Sequence, residues 1–241
     1  EPVDLGDGVA TLLGAVMDDP MRHDLRRLRQ TNRLLQDPGT AEAVQRMRRE
    51  DGERDLRVVP HVAVAPDRGD ELAAALADGV PTVVDADALK HLEAVLAGET
   101  RDDLVLTPHA GELAALLGVE RSEVEARQLH HARVAAARFG GVGALKGRHT
   151  LVTRPDGRTR VTTTGTPWLG TAGAGDVLGG VMGAVLATGL DPWDAASVGS
   201  WLHGAAATLV ADGGPIVAGQ VAGGVTEVVR GLAVVSTPAR R

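Results

Sequence analysis

Hydrophobic positions in the middle of the chain follow a repeating pattern. Between residues 57 and 163, short β-branched runs alternate with Ala- and Leu-rich stretches of helical length. This alternation predicts βαβ units around a largely parallel sheet. The predicted strands are 57–65, 80–85, 103–107, 142–145, 150–153 and 158–163, and the predicted helices are 69–77, 89–96, 112–118 and 123–139.

The remainder of the chain after residue 165 is predicted to be helical, with helices over 174–188, 192–211 and 220–232. The longest apolar run, 177–190, is shorter than the roughly 20 residues that cross a bilayer, so it predicts a buried helix. Pro155-Asp156-Gly157 is a hairpin signal, which predicts an antiparallel pair near the edge of the sheet.

The first 56 residues have a different hydrophobic pattern from the rest of the chain. Apolar positions are spaced there as the stripes of two short amphipathic helices. Residues 21–60 carry ten Arg, but seven interleaved acids favour a solvated helical face over a surface for a polyanion. The predicted organisation is therefore an atypical helical segment over 1–56 and one catalytic domain over 57–241.

Composition narrows the function classes. The 241 residues are 44% hydrophobic and 24% charged, with a net charge of −7, as in a folded globular protein. The lack of cysteine excludes disulfides, Cys-ligated metals and a thiol nucleophile. With no Tyr, one Phe and three Trp, stacking platforms for nucleic acid are nearly excluded. No secretory signal is visible at the start, so we expect a cytoplasmic location without membrane or nucleic-acid partners.

The run from Gly170 to Asp176 leads directly into an apolar helix. Gly173, Ala174 and Gly175 would leave backbone N–H groups open at a helix N-terminus, which suits an anion. Asp176 in the first turn would be placed to take a proton from a substrate hydroxyl. The alternative is a glycine turn with an aspartate helix cap.

Further candidates follow the predicted strands, where ligands bind in open α/β sheets. Lys146-Gly147-Arg148-His149-Thr150 offers a cation, a bare backbone and a hydroxyl, which suit nucleotide phosphates and ribose, although a solvated turn lysine is the alternative. His109 could face a cleft or be satisfied by a backbone carbonyl. Asp85 could contact Mg²⁺ or substrate. Glu112 could cap the next helix or hold a metal-bound water.

Together these motifs resemble the carbohydrate-kinase-type (ribokinase-like) domain of ADP/ATP-dependent NAD(P)H-hydrate dehydratases, which repair nicotinamide nucleotides. The resemblance covers about residues 80–232. The motif Thr-Pro-His-x-Gly-Glu separates these dehydratases from sugar and vitamin kinases of the same fold. The motif Gly-Ala-Gly-Asp is less specific, because the whole superfamily shares it. The matching stretches are 84–89, 106–112, 145–147, 156–157, 164–178 and 202–205.

The resemblance implies a three-layer α/β/α sandwich with a mostly parallel central sheet. It implies repair of 6-hydroxy (hydrated) NADH or NADPH by phosphorylation with ADP or ATP, aided by Mg²⁺, and elimination of phosphate. Asp176 would be the base and contact the substrate, as would His109 and Asp85. Lys146 to Thr150 and Gly173 to Gly175 would contact the nucleotide. An NAD(P)H-hydrate epimerase partner and a homo-oligomer are also expected.

One departure from the family pattern leaves two other functions open. The strand over 58–65 is followed by Pro66-Asp67-Arg68-Gly69 in place of a glycine-rich substrate loop. A kinase for a vitamin precursor or sugar would use the same anion hole and base, although the Thr-Pro-His motif argues against it. A catalytically weak nucleotide-binding subunit would account for the missing N-terminal glycines.

Overall fold

The computed structural model describes residues 61–62, 69–77 and 79–235. They divide into two compact units. The sheet unit comprises the described residues up to 163 together with 178–200, and the helical unit comprises 164–177 and 201–235. The helical segment predicted for residues 1–56 lies outside the described residues, so the predicted domain boundary at residue 57 stays a prediction.

The described part of the sheet has six strands, whose order across the sheet is their order along the chain. The first four strands pair in parallel, and the fifth pairs antiparallel with both the fourth and the sixth. This confirms the predicted mostly parallel sheet. The strands are β1 (His61–Val62), β2 (Thr82–Val84), β3 (Leu104–Leu106), β4 (Val142–Leu145), β5 (Thr150–Thr153) and β6 (Thr159–Thr162).

Five helices of the sheet unit supply its apolar core. They are α1 (Gly69–Ala77), α2 (Ala88–Leu96), α3 (Ala110–Leu117), α4 (Arg121–Ala126) and α5 (Gln128–Phe139). Leucines at helical spacing in α1 and α2 pack with strand residues in one cluster. A second cluster joins α3, α4 and α5 to β4 and β5. Because β2, β3 and β4 are wholly buried, their sequences are continuous apolar runs with few polar positions.

The single helix predicted over 123–139 is wrong, since the chain forms α4 and α5 with a break at Arg127. The backbone of Arg127 leaves the helical region, with φ −137° and ψ 51°. Its carbonyl accepts from the His131 amide at 3.1 Å, and Nδ1 of the same residue lies 3.1 Å from that oxygen. Neither Pro nor Gly marks this break in the sequence.

The predicted hairpin is confirmed by the antiparallel pairing of β5 with β6. Gly157 in its turn has φ +84°, a conformation that favours glycine. Arg160 of β6 donates to Asp194 at 2.7 Å, and its guanidinium lies 3.7 Å from the Trp193 ring centroid. Trp193 in turn donates to the Val152 carbonyl at 3.2 Å. These contacts fix the antiparallel edge within the sheet unit.

Three further helices are α6 (Ala174–Ala187), α7 (Pro192–Ala211) and α8 (Ala218–Val235), close to their predicted bounds. Within the helical unit, Gly204 of α7 lies so close to the backbone of Thr164 that a Cβ there would overlap its carbonyl. A glycine is therefore required at this approach. None of the described helices combines the length and apolarity needed to cross a membrane.

Candidate functional site

The carboxyl ends of β2, β3 and β4 bring three predicted site residues together in the sheet unit. The Thr107 amide donates to the Val84 carbonyl at 3.0 Å, and the Lys146 amide donates to the Pro108 carbonyl at 2.8 Å. His109 and Lys146 form an isolated parallel bridge. The loops after β3 and β4 are thus joined by backbone hydrogen bonds, as expected for ligand-binding loops of an α/β sheet.

Lys146 is placed between two carboxylates. Its Nζ donates to Asp85 Oδ1 at 2.6 Å and lies 3.7 Å from Glu112 Oε2. The Asp85 side chain is only 3% exposed and that of Lys146 is 21% exposed. A short charge-assisted hydrogen bond of this kind is stronger than one between neutral groups. The alternative of a solvated turn lysine is therefore wrong.

His109 and Glu112 form a capping box at the start of α3. The Glu112 amide donates to His109 Nδ1 at 3.0 Å, and the His109 amide donates to Glu112 Oε2 at 2.7 Å. The ring is thus not satisfied by a backbone carbonyl, which corrects that alternative. Because Nδ1 accepts, the neutral ring carries its proton on Nε2. The side chain is 58% exposed, and its Nε2 lies 3.5 Å from Glu112 Oε1.

The backbone beside Asp85 is strained. Ala86, which follows it directly, has φ +51°, a conformation that costs an L-residue about 1–2 kcal/mol. Strain of this kind persists only where the surrounding structure requires it, and it is frequent at functional sites. The strand end after β2 therefore holds Asp85 in an imposed position.

The predicted nucleotide segment forms the turn between β4 and β5. Gly147, Arg148 and His149 are exposed, and Thr150 begins β5 opposite Thr162. Gln128 at the start of α5 lies beside this turn, since a Cβ on Gly147 would be 3.8 Å from its Nε2. Of this segment, the structure brings Lys146 into the cluster with Asp85 and Glu112.

The predicted anion hole lies in the helical unit. Gly173 has φ +83°, and its carbonyl accepts from the Val177 amide at 3.2 Å, so α6 begins directly after it. Asp176 is exposed in the first turn of this helix, where the N–H groups lack partners within the helix. It stands at the third helical position and so is not the helix cap that the alternative required.

His203 is a neighbour of this turn, and its place beside Gly204 in an apolar helical stretch predicts close helix packing. It is 7% exposed, and its Nε2 has no hydrogen-bond partner among the described residues. Burial lowers the pKa of His203 to about 4, and a hydrogen bond with the backbone of Ala174 opposes this shift in part. The sequence signal for this buried ring is a lone histidine in an apolar helical stretch.

Comparison with known proteins shows the family of this chain. The family model described as NAD(P)H-hydrate dehydratase matches residues 66–219. An ADP-dependent (S)-NAD(P)H-hydrate dehydratase of Neisseria meningitidis is 43% identical over 158 residues, which are 63% of this chain and 53% of that protein. A bifunctional NAD(P)H-hydrate repair enzyme of Moorella thermoacetica is 45% identical over 130 residues, which are 53% of this chain and 24% of that protein.

The fold is shared with a solved structure. The ADP/ATP-dependent NAD(P)H-hydrate dehydratase of Bacillus subtilis, co-crystallised with ATP/Mg²⁺ and soaked with CoA, has a TM-score of 0.62 and 23% identity. The match covers 84% of this chain and 77% of that one. The protein thus has a ribokinase-like α/β fold. More narrowly, it belongs to the NAD(P)H-hydrate dehydratase family. It spans about half the length of the Neisseria relative.

Proposed function

We propose that this protein dehydrates hydrated NADH or NADPH at the expense of ADP or ATP. The observation that carries this proposal is the capping box of His109 and Glu112 next to Lys146, in a chain that belongs to the dehydratase family. The name of the Neisseria relative specifies ADP, and the Bacillus structure was grown with ATP/Mg²⁺. Both support a nucleotide as the second substrate.

The proposed reaction has two balanced steps. The 6-hydroxyl oxygen forms a bond to the terminal phosphorus of the nucleotide, and the phosphoanhydride bond to that phosphorus breaks. The leaving group is AMP when ADP is the donor and ADP when ATP is the donor. The new C–O–P group then loses inorganic phosphate. Its C–O bond breaks with both electrons, while a proton leaves the neighbouring ring carbon and the dihydronicotinamide is restored. No external oxidant or reductant is required.

The site residues other than Asp85 are proposed to have the roles that the sequence predicts. Asp176 accepts the proton of the hydroxyl that attacks phosphorus, which is ordinary general-base catalysis. The open N–H groups around Gly173 and Gly175 bind phosphate oxygens. The turn from Lys146 to Thr150 contacts the nucleotide. The exposed ring of His109 contacts the hydrated nicotinamide.

Mg²⁺ fits as an ion that arrives with the nucleotide. Within residues 69–77 and 79–232, no group of three or more His, Asp or Glu side chains could hold a metal ion. Mg²⁺ needs no such cage, because it keeps several waters and binds through one or two carboxylates plus substrate phosphates. Glu112, next to Lys146, would contact one of its waters. The bound ion would neutralise phosphate charge.

The test is a direct assay. The protein is incubated with hydrated NADH, Mg²⁺ and either ADP or ATP, and recovery of dihydronicotinamide absorbance is followed beside release of phosphate. Equal amounts of both products are expected. A panel of vitamin precursors and sugars is run in parallel. Phosphorylation of one of these without any recovery of NADH would refute the proposal in favour of the kinase.

Two partner predictions accompany this function. The bifunctional relatives support a second repair activity near this one, and we propose an NAD(P)H-hydrate epimerase as that partner. Adding an epimerase should let the protein consume both epimers of the hydrate. A homo-oligomer is expected as well, and sedimentation of the purified protein measures it.

A further inference from the structure

We propose that Asp85 is a positioning residue, which acts by holding the Lys146 ammonium group rather than by binding substrate or metal itself. This inference rests on the proposed function only in that Lys146 is taken to contact the nucleotide. It changes the role predicted for Asp85, whose place after β2 suggested a direct ligand.

The pair is built into the fold. Asp85 and Lys146 are 61 residues apart in sequence and belong to the ends of β2 and β4, with β3 between them. Their hydrogen bond of 2.6 Å joins a carboxylate that is almost fully buried to an amine that is only partly exposed. Removing one partner of such a pair leaves the other poorly compensated.

The backbone holds both partners. On one side, the left-handed Ala86 directly follows Asp85. On the other, the Lys146 amide is bound to the Pro108 carbonyl. The direction of each side chain is therefore set by the chain around it, which distinguishes this pair from one formed by two mobile side chains on a surface.

A surface pair two residues further on provides the comparison. Lys90 pairs with Asp87 on α2, where the side chains are 57% and 34% exposed. Exposed pairs of this type contribute about 0–1 kcal/mol and give little control of orientation. Lys90 and Lys146 are the two lysines of the chain, so lysine chemistry reports on both pairs in one sample.

The arrangement has a consequence for charge. With Asp85 and Glu112 both ionised, two negative charges face the one positive charge of Lys146, and the cluster carries −1. Such a cluster disfavours a bare polyphosphate and favours one whose charge is reduced by Mg²⁺. Asp85 would thus fix the direction of the Lys146 side chain. It would also lower the affinity of the protein for metal-free nucleotide.

The first experiment measures how readily each lysine is acylated, with peptide mass spectrometry as the readout and no ligand present. In the parent protein, Lys146 should react more slowly than Lys90 because its ammonium group is held between carboxylates. Asp85→Asn should raise the rate at Lys146 about fivefold, which corresponds to about 1 kcal/mol, and leave Lys90 unchanged. Asp87→Asn is the matched control and should affect Lys90 alone. An unchanged rate at Lys146 in Asp85→Asn would overturn the proposal.

The second experiment separates an action through Lys146 from direct binding. Affinity for ADP is measured by calorimetry with EDTA in place of metal. Asp85→Asn should bind ADP about fivefold more tightly than the parent protein, because it releases the Lys146 ammonium group and relieves repulsion of phosphate. The gain should be clearly smaller in a Lys146→Met background, where only the repulsion is relieved. Weaker binding, or an equal change in both backgrounds, would refute the positioning role.

A second variant and a protection measurement separate the positioning role of Asp85 from misfolding and from the nucleotide contact of Lys146. If Asp85→Asn alone does not fold, the double variant Asp85→Asn, Lys146→Met removes both charges, and its ADP affinity should exceed that of Lys146→Met by less than fivefold. Protection of Lys146 from acylation by ADP in the parent protein tests the proposed nucleotide contact separately. Absence of this protection would contradict the nucleotide contact, while a faster reaction in Asp85→Asn would still support the positioning role.

Discussion

Replacing His203 by Asn should make the protein less sensitive to acid. In the folded chain, burial lowers the pKa of His203 to about 4, against an ordinary value of 6.5. Between these values the unfolded chain binds a proton that the folded chain excludes. The stability from the neutral ring is therefore complete above pH 6.5 and is lost as the pH falls toward 4.

The magnitude follows from the two pKa values. At about 1.4 kcal/mol per pKa unit, the free energy of unfolding should decrease by about 2 kcal/mol at pH 5 and by about 3 kcal/mol at pH 4. His203→Asn retains a hydrogen-bonding group near Ala174 but does not titrate. The variant should be less stable than the parent protein at pH 7.5, because it loses buried ring surface, and the difference should shrink on acidification.

Urea unfolding followed by circular dichroism at pH 7.5, 6, 5 and 4 measures this difference. His130→Asn, which replaces an exposed histidine of α5, is the matched control and should keep the acid sensitivity of the parent protein. If His203→Asn and the parent protein lose the same free energy between pH 7.5 and pH 4, the buried neutral histidine is not the cause.

Three further predictions concern the site and its support. Asp176→Asn should lower kcat about 10²- to 10⁴-fold with little change in nucleotide affinity, which steady-state kinetics and calorimetry measure. His109→Ala should raise KM for the hydrate and spare ADP binding, and loss of the cap should cost about 1 kcal/mol in urea unfolding. Gly204→Ala should destabilise by about 1–3 kcal/mol or more through overlap with Thr164, measured as a lower Tm.

Each of these predictions has an outcome that contradicts it. Turnover at the parental rate in Asp176→Asn would exclude this carboxylate as the base. Equal losses of hydrate and ADP binding in His109→Ala would mark a purely structural histidine. For Gly204, the control is Gly180→Ala in α6, where the new Cβ has no heavy atom of the described residues within 4 Å apart from its chain neighbours and the nearby backbone of its own helix. A similar loss of Tm in both variants would remove the steric argument.

Most strands and helices could be predicted because explicit local signals bound them. The helix over 192–211 is an example, since Asp191 Oδ1 accepts from the Trp193 amide at 3.0 Å and Pro192 begins the helix. The break at Arg127 has no such signal, and its cause is a backbone conformation. The helix start at Ala110 was placed two residues late, because the cap is a histidine. Histidine is not among the preferred capping residues.

The site was predictable as a set of strand ends but not as a set of contacts. Parallel strands place their carboxyl ends along one edge, which is why Asp85, His109 and Lys146 could be selected from sequence. The pairing of Asp85 with Lys146 depends on side-chain directions across β3, and these have no sequence signature. The contact of His203 with Ala174 could not be predicted for the same reason, since it joins residues that are distant in sequence.

The turn from Lys146 to His149 is closed on both sides. Leu145 before it pairs with Leu151 after it, and the Lys146 amide is bound to Pro108. Ordering a flexible backbone costs about 1–2 kcal/mol per residue, or about 4–8 kcal/mol for four residues. The turn loses this conformational entropy when the sheet folds, so ligand binding does not have to order it. A nucleotide that binds this turn therefore meets a surface that is already ordered, and its affinity is not reduced by folding the protein around it.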